Sequence, residues 1–126
     1  MSKKILYCNN APAPIGPYSQ AIACNGFLFV SGQVALVPET GVVINTGIVD
    51  EAQQVMKNIG SILKEYNLTY NNIVKTTIFL SDMEHFSKVN EVYGSYFEKD
   101  FPARETVAVK GLPRGVNVEI SVTAFT

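Results

Sequence analysis

The sequence predicts an α+β domain in which about six strands form a mixed sheet and two helices pack on one of its faces. Three patterns carry this reading. Alternating apolar stretches recur in both the first and the last third of the chain, and two segments between them instead repeat apolar residues at helical spacing. Single Gly, Pro and Asn residues fall between these segments, where turns are needed. At 126 residues, one compact unit over 1–126 is the expected organisation.

Residues 19–24 and 27–30 read as strands joined by Asn25-Gly26, a pair that tolerates positive φ and suits a tight hairpin. Pro38 to Gly41 reads as a second turn, returning through a short strand over 42–44. From Asp50 the period changes. Ala52, Val55, Met56, Ile59, Ile62, Leu63 and Tyr66 form an apolar stripe, with Gln53, Lys57 and Lys64 among the residues left on the wet side, which makes a long amphipathic helix. Asp50 with Gln53 offers a capping box at its start, and Asn67 a left-handed residue at its end.

Residues 73–80 alternate and are rich in β-branched types, so they form a strand. Ser81 with Glu84 offers a second capping box, opening a helix lined by Phe86, Val89, Val92, Tyr93, Tyr96 and Phe97 and ended by Pro102. Residues 104–109 alternate again, with Arg104, Thr106 and Ala108 on one face. In the last strand, 116–125, Val118, Ile120 and Val122 point one way and Glu119 the other. Two helices cover only one face of such a sheet. Because 27–30 and 78–80 are apolar at successive positions, the second face is expected to be covered by further copies of the chain.

Composition narrows the function. Ten Lys and Arg against eleven Asp and Glu give no cationic funnel for nucleic acid or an anionic membrane. One histidine and two distant cysteines, Cys8 and Cys24, are too few and too widely separated to point to a zinc site or a disulfide framework. No apolar run reaches spanning length, and 5–8 is too short for a signal-peptide core. A cytoplasmic protein without metal, membrane or nucleic-acid partner is expected. Phosphate-binding loops and the G-x-S-x-G elbow are absent from the sequence. His85, beside Glu84 at the helix start, reads as a solvated or capping residue.

Several polar residues remain in improbable surroundings. Arg104 opens a strand expected to be mostly buried, where its guanidinium must meet an anion: either an internal partner, Glu119 or Glu105, or the carboxylate of a ligand. Glu119, midway along the last strand, is either a structural partner for a cation or a carboxylate that activates water. Tyr18 follows the rigid Gly16-Pro17; its phenol either satisfies a structural hydrogen bond or meets a ligand. Asn90 reads as a surface amide unless it borders a site.

Taken together these residues resemble the Rid (reactive intermediate deaminase, RidA/YjgF) family. The match runs through Ala11-Pro12, Ile15-Gly16-Pro17-Tyr18-Ser19-Gln20-Ala21, Val30-Ser31-Gly32-Gln33, Lys57-Asn58-Ile59, Val74-Lys75-Thr76-Thr77, Val89-Asn90-Glu91-Val92-Tyr93, Phe101-Pro102-Ala103-Arg104, Leu112-Pro113 and Val118-Glu119-Ile120. The resemblance implies a chorismate-mutase-like subunit, a homotrimer with clefts between subunits, and cofactor-independent hydrolysis of 2-imino acids to 2-keto acids and ammonia. It implies that Arg104 binds the substrate carboxylate, Glu119 positions water, and Tyr18 helps hold both. Gly32 would let backbone approach the ligand, and Asn90 and Thr106 would border it. Where many deaminase-type members carry Ser-Cys after the arginine, this chain has Glu105-Thr106, which removes thiol chemistry there. The rival reading is a non-catalytic trimeric protein that holds a keto acid or another small carboxylate; ribonuclease activity is disfavoured by the balanced charge.

Overall fold

The structure, a computed structural model, describes residues 2–126. Its strands are β1 (Lys4–Leu6), β2 (Ala21–Cys24), β3 (Phe27–Gln33), β4 (Ile73–Leu80), β5 (Ala103–Ala108) and β6 (Val118–Phe125), and its two α-helices are α1 (Ile48–Glu65) and α2 (Phe86–Gly94). The strands form one mixed sheet in the order β1-β2-β3-β6-β4-β5. Among the described residues only β4 and β5 pair in parallel. A parallel pair needs a crossover connection, and α2 provides it.

The β2–β3 hairpin closes as expected. Cys24 faces Phe27 across the turn, and Asn25 and Gly26 take φ of 52° and 84°, the positive angles that a two-residue hairpin loop demands. Along β6 the alternation is clean, with Val118, Ile120, Val122 and Ala124 buried. They share the helix-covered face with Leu28, Val30, Ile78 and Leu80, and α1 sets Val55, Met56, Ile59, Ile62 and Leu63 against them. Burying one such aliphatic side chain contributes about 1.5–3 kcal/mol, so this layer holds the sheet flat against α1.

Several expectations need correction. The count of six strands holds but its membership differs: 42–44 makes only an isolated bridge, Leu36 to Val43, while Lys4–Leu6 supplies an edge strand instead. Neither capping box forms. Helix α1 starts three residues earlier than a cap at Asp50 would place it, after Gly47 and without a side-chain cap, and Asp50 instead accepts from the Thr46 hydroxyl at 2.6 Å. The Ser81 hydroxyl donates to Asn117 Oδ1 at 2.8 Å, and Asp82 takes the capping role, accepting from the Glu84 N–H at 2.9 Å. Helix α2 stops at Gly94, well before Pro102, because Tyr96 and Phe97 turn inward onto Tyr70 and Tyr93. Asn67 does close α1 in the left-handed region, with φ 59°.

Three nearly sealed polar side chains tie loops to this frame. Gln20 donates to the carbonyls of Cys8 and Pro12 and accepts from Cys8 N–H. Asn58 donates to the carbonyls of Val34 and Leu36. Glu51 accepts from both the backbone and side-chain amides of Asn117. Buried polar groups without such partners cost about 1–3 kcal/mol each, so these bonds fix where the loops sit.

Among the described residues no helix lies over the opposite sheet face. Ile5, Phe27, Phe29, Val107 and Phe125 are 41–63% exposed there, among Lys75, Thr77, Glu105 and Glu119. The residues that made 27–30 apolar at every position therefore divide between a sealed face and an open one.

Candidate active site

Arg104 and Glu119 stand on opposite faces of the sheet. Arg104 lies in register with the fully buried Thr76, so its side chain shares the helix-covered face at the outer edge of β5. Its guanidinium stacks over the rings of Tyr93 and Phe86, 5.3 and 5.8 Å from their centroids, and donates to the Asn90 side-chain oxygen. Phe86, Asn90 and Tyr93 follow at i, i+4 and i+7 on α2, which puts all three on one helical stripe. The Tyr93 hydroxyl donates to Thr76 Oγ1 at 2.8 Å, and burial raises its pKa, so the ring is locked as a neutral platform. Asn90, Tyr93, Phe101, Pro102 and Arg104 together line an open cavity of about 450 Å³.

Neither internal anion quenches the guanidinium. Glu105 points to the other face, where it accepts from the Thr77 hydroxyl at 2.7 Å and pairs with Lys75 at 2.9 Å. Those partners hold its carboxyl below the ordinary value. Among the described residues Arg104 has no carboxylate partner, which leaves the outer edge of its fork available.

Glu119 faces Phe79 across the β4–β6 pair, between residues whose side chains go into the core. The β3–β6 register slips between Val30 and Gln33, and Gly32 lies inside that slip. A Cβ on Gly32 would fall 2.8 Å from the Glu119 carboxyl carbon, and closer still to one of its oxygens. Only a residue without a side chain leaves the carboxyl where it stands. Burial pushes the Glu119 pKa up, and no ion pair offsets it among the described residues. With Tyr18, Ser31, Gly32, Val34 and Arg114 it lines a second cavity, of about 340 Å³.

The structure therefore gathers Tyr18, Gly32 and Glu119 at one cavity and Arg104 with Asn90 at another. It does not bring the two groups together within one chain. Thr106 borders neither cavity, and its hydroxyl is sealed without a hydrogen-bond partner among the described residues. Replacing a partnerless hydroxyl by a methyl group removes a desolvation penalty, so Thr106→Val is expected to raise the unfolding free energy by about 1 kcal/mol. A higher urea midpoint at constant m would show this; a lower one would reveal a partner for the hydroxyl.

Sequence reasoning missed the platform under Arg104, because Phe86 and Tyr93 read only as core residues of an amphipathic helix. Their spacing with Asn90 was the available signal. It also passed over Ser31 and Arg114, which no periodicity marks. Among the described residues no helix is long and apolar enough to cross a membrane.

Comparison with known proteins places the chain in a family. Residues 8–126 match the family model described as Endoribonuclease L-PSP. The chain is 50% identical over 126 residues to the Synechocystis RutC family protein slr0709, covering 98% of this chain and 97% of that one. It is 47% identical over 122 residues to a mouse protein named 2-iminobutanoate/2-iminopropanoate deaminase, covering 97% and 90%. Its fold superposes with a TM-score of 0.97 on the crystal structure of YyfA from Yersinia pestis, described as a protein of unknown function of the conserved Rid family. That chain is 45% identical, with 99% of this chain and 100% of that one covered. With matches that run nearly end to end in both sequence and backbone, the chain belongs to the Rid family.

Proposed function

We propose that the protein hydrolyses small 2-imino acids to 2-keto acids and ammonia, in clefts formed where the Arg104 cavity of one copy meets the Glu119 cavity of the next. One observation carries the reading: an unquenched guanidinium and a desolvated carboxylate, both in family positions, sit on opposite faces of one sheet. A substrate touching both must lie between two chains. The apolar open face supports assembly, and three copies in a closed ring would make three equal clefts.

In this reading the Arg104 fork holds the substrate carboxylate and thereby places the adjacent C=N carbon. That carbon is already electrophilic as an iminium ion, so the protein has mainly to orient water and ligand. Before addition the charge of Glu119 accompanies the positive nitrogen, and as water adds the carboxylate takes its proton, leaving a neutral tetrahedral adduct. Glu119 returns that proton to the nitrogen, the C–N bond breaks as ammonia leaves, and the hydroxyl proton passes to the freed carboxylate, so that the water oxygen becomes the keto oxygen. Burial of Glu119 brings its pKa nearer the working pH, which suits a base that must also return a proton. Tyr18 supplies a hydroxyl at the same wall. Phosphodiester cleavage is served less well, since a near-neutral chain offers no cationic track for RNA.

The test is ammonia release from freshly generated 2-iminobutanoate, measured above the spontaneous rate, together with the mass of the assembly. Turnover by a trimer is expected. Tight binding of 2-oxobutanoate with no turnover of several imines would favour a non-catalytic carboxylate-binding protein instead. Gly32→Ala adds a sharper check. The added methyl group would collide with the flexible end of Glu119, which can swing aside at little cost to folding. Catalysis is expected to fall about tenfold to a hundredfold through misplacement of the carboxyl, while Tm shifts by less than about 5 °C.

A further inference from the structure

We propose that Arg114 is a second anion-binding arm of the Glu119 cavity, favouring 2-imino acids that carry another carboxylate at the end of the side chain. This rests on the deaminase reading and adds a substrate class to it.

Arg114 sits in the turn Pro113–Gly115 with φ 62° and ψ 15°, a left-handed conformation that costs a non-glycine residue about 1–2 kcal/mol. Gly115 beside it is also left-handed, with φ 65°. The turn is closed by hydrogen bonds from Gly115 N–H to the Leu112 carbonyl at 3.1 Å and from Val116 N–H to the Pro113 carbonyl at 3.4 Å. Just beyond it, the Glu51 carboxylate, 3% exposed, takes the Asn117 backbone N–H at 3.1 Å and its Nδ2 at 2.7 Å. The strained arginine is thus the tip of a turn anchored to α1, and it lines the cavity with Glu119.

Arg114 is the only cation among the described residues of that wall, where the other polar groups are Glu119 and the hydroxyls of Tyr18 and Ser31, beside apolar Val34 and Leu36. It makes no ion pair among the described residues; the pair that forms is Lys75 with Glu105. Burial alone shifts the Glu119 carboxyl, and upward, with no opposing pull from a neighbouring guanidinium. A planar fork left free beside a partly apolar wall is suited to a carboxylate. Arg104 of the adjoining copy would hold the carboxylate next to the reacting carbon, leaving Arg114 for one at the far end. Hydrolysis itself is unchanged: water oxygen replaces nitrogen at the imine carbon, ammonia leaves, and the second carboxylate takes no part in bond making.

The experiment measures ammonia release by the wild-type assembly, Arg114→Gly and Arg114→Lys. The substrates are 2-iminobutanoate and the dicarboxylic imines generated in place from aspartate and glutamate by an amino-acid oxidase. Glycine is the fold-safe replacement because the left-handed backbone is unstrained for it. The ratio of kcat/KM for a dicarboxylic imine to that for 2-iminobutanoate is expected to fall about tenfold or more in Arg114→Gly, the loss of a charge-assisted hydrogen bond, and to recover in part in Arg114→Lys. An unchanged ratio overturns the inference, as does a wild-type protein that hydrolyses 2-iminobutanoate but neither dicarboxylic imine. Absence of turnover with every imine would instead overturn the deaminase reading, and this inference with it.

Discussion

Arg104→Ala is expected to lower kcat/KM for 2-iminobutanoate by about a hundredfold or more while the protein stays folded and assembled. Hydrogen bonds to a charged group contribute about 1.5–3 kcal/mol each, and a bidentate fork makes two. Since about 1.4 kcal/mol is tenfold in rate, a hundredfold is the low end of the range. The fold should survive, because what else is lost is a stacking contact over Tyr93 and Phe86 and the bond to Asn90. A partly exposed cation on an aromatic face contributes about 0.5–1 kcal/mol, against a typical domain stability of about 5–15 kcal/mol. Arg104→Lys separates charge from shape: it keeps the cation but not the planar fork, and should recover only part of the loss. Ammonia-release kinetics and a thermal unfolding curve decide the matter. Full activity in Arg104→Ala would exclude the carboxylate clamp.

How far the sequence could lead depended on whether an element's cause was local. The β2–β3 hairpin was legible because Asn25 and Gly26 dictate their own backbone angles, and α1 and β6 because each has a single sealed stripe. The capping boxes misled because the donors and acceptors that settle these side chains come from elsewhere. Ser81 is taken by Asn117, far along the chain, and Thr46 claims Asp50. Strand β1 escaped notice since three residues show no period; it exists because the β2 edge needs a partner. Within the site, residue types and family motifs pointed to Arg104, Glu119, Tyr18, Gly32 and Asn90. Alternation along 104–109 and 116–125 assigned Glu105 to the opposite face from Arg104, and Glu119 away from the apolar stripe. What no strand pattern could give was the face relation between Arg104 and Glu119. That follows from the antiparallel register of β6 on β4 and the parallel register of β5, which set Phe79 beside Glu119 and Thr76 beside Arg104.

That face relation leads to the second large effect: two inactive variants should restore activity to one another. In the proposed assembly Arg104→Ala would spoil one half of every cleft and Glu119→Gln the other, so each variant alone is expected to be nearly inert. When both chains are produced together and assemble at random, a ring of three contains both types about three times in four. In each mixed ring one of the three junctions joins an intact Arg104 to an intact Glu119, one joins two spoiled halves, and one repeats a single variant. The product of the two fractions is about a quarter of the wild-type activity per chain. A site built within one chain would give no recovery whatever the mixing ratio, because each polypeptide would still lack one of the two groups. Mixing the purified variants without subunit exchange serves as the control and should stay inactive until exchange is allowed. Recovery that rises and falls with the mole fraction of either variant, peaking near equal amounts, would place Arg104 and Glu119 on different chains of the same working cleft; its absence, with mixed rings demonstrated by mass, would overturn the shared site.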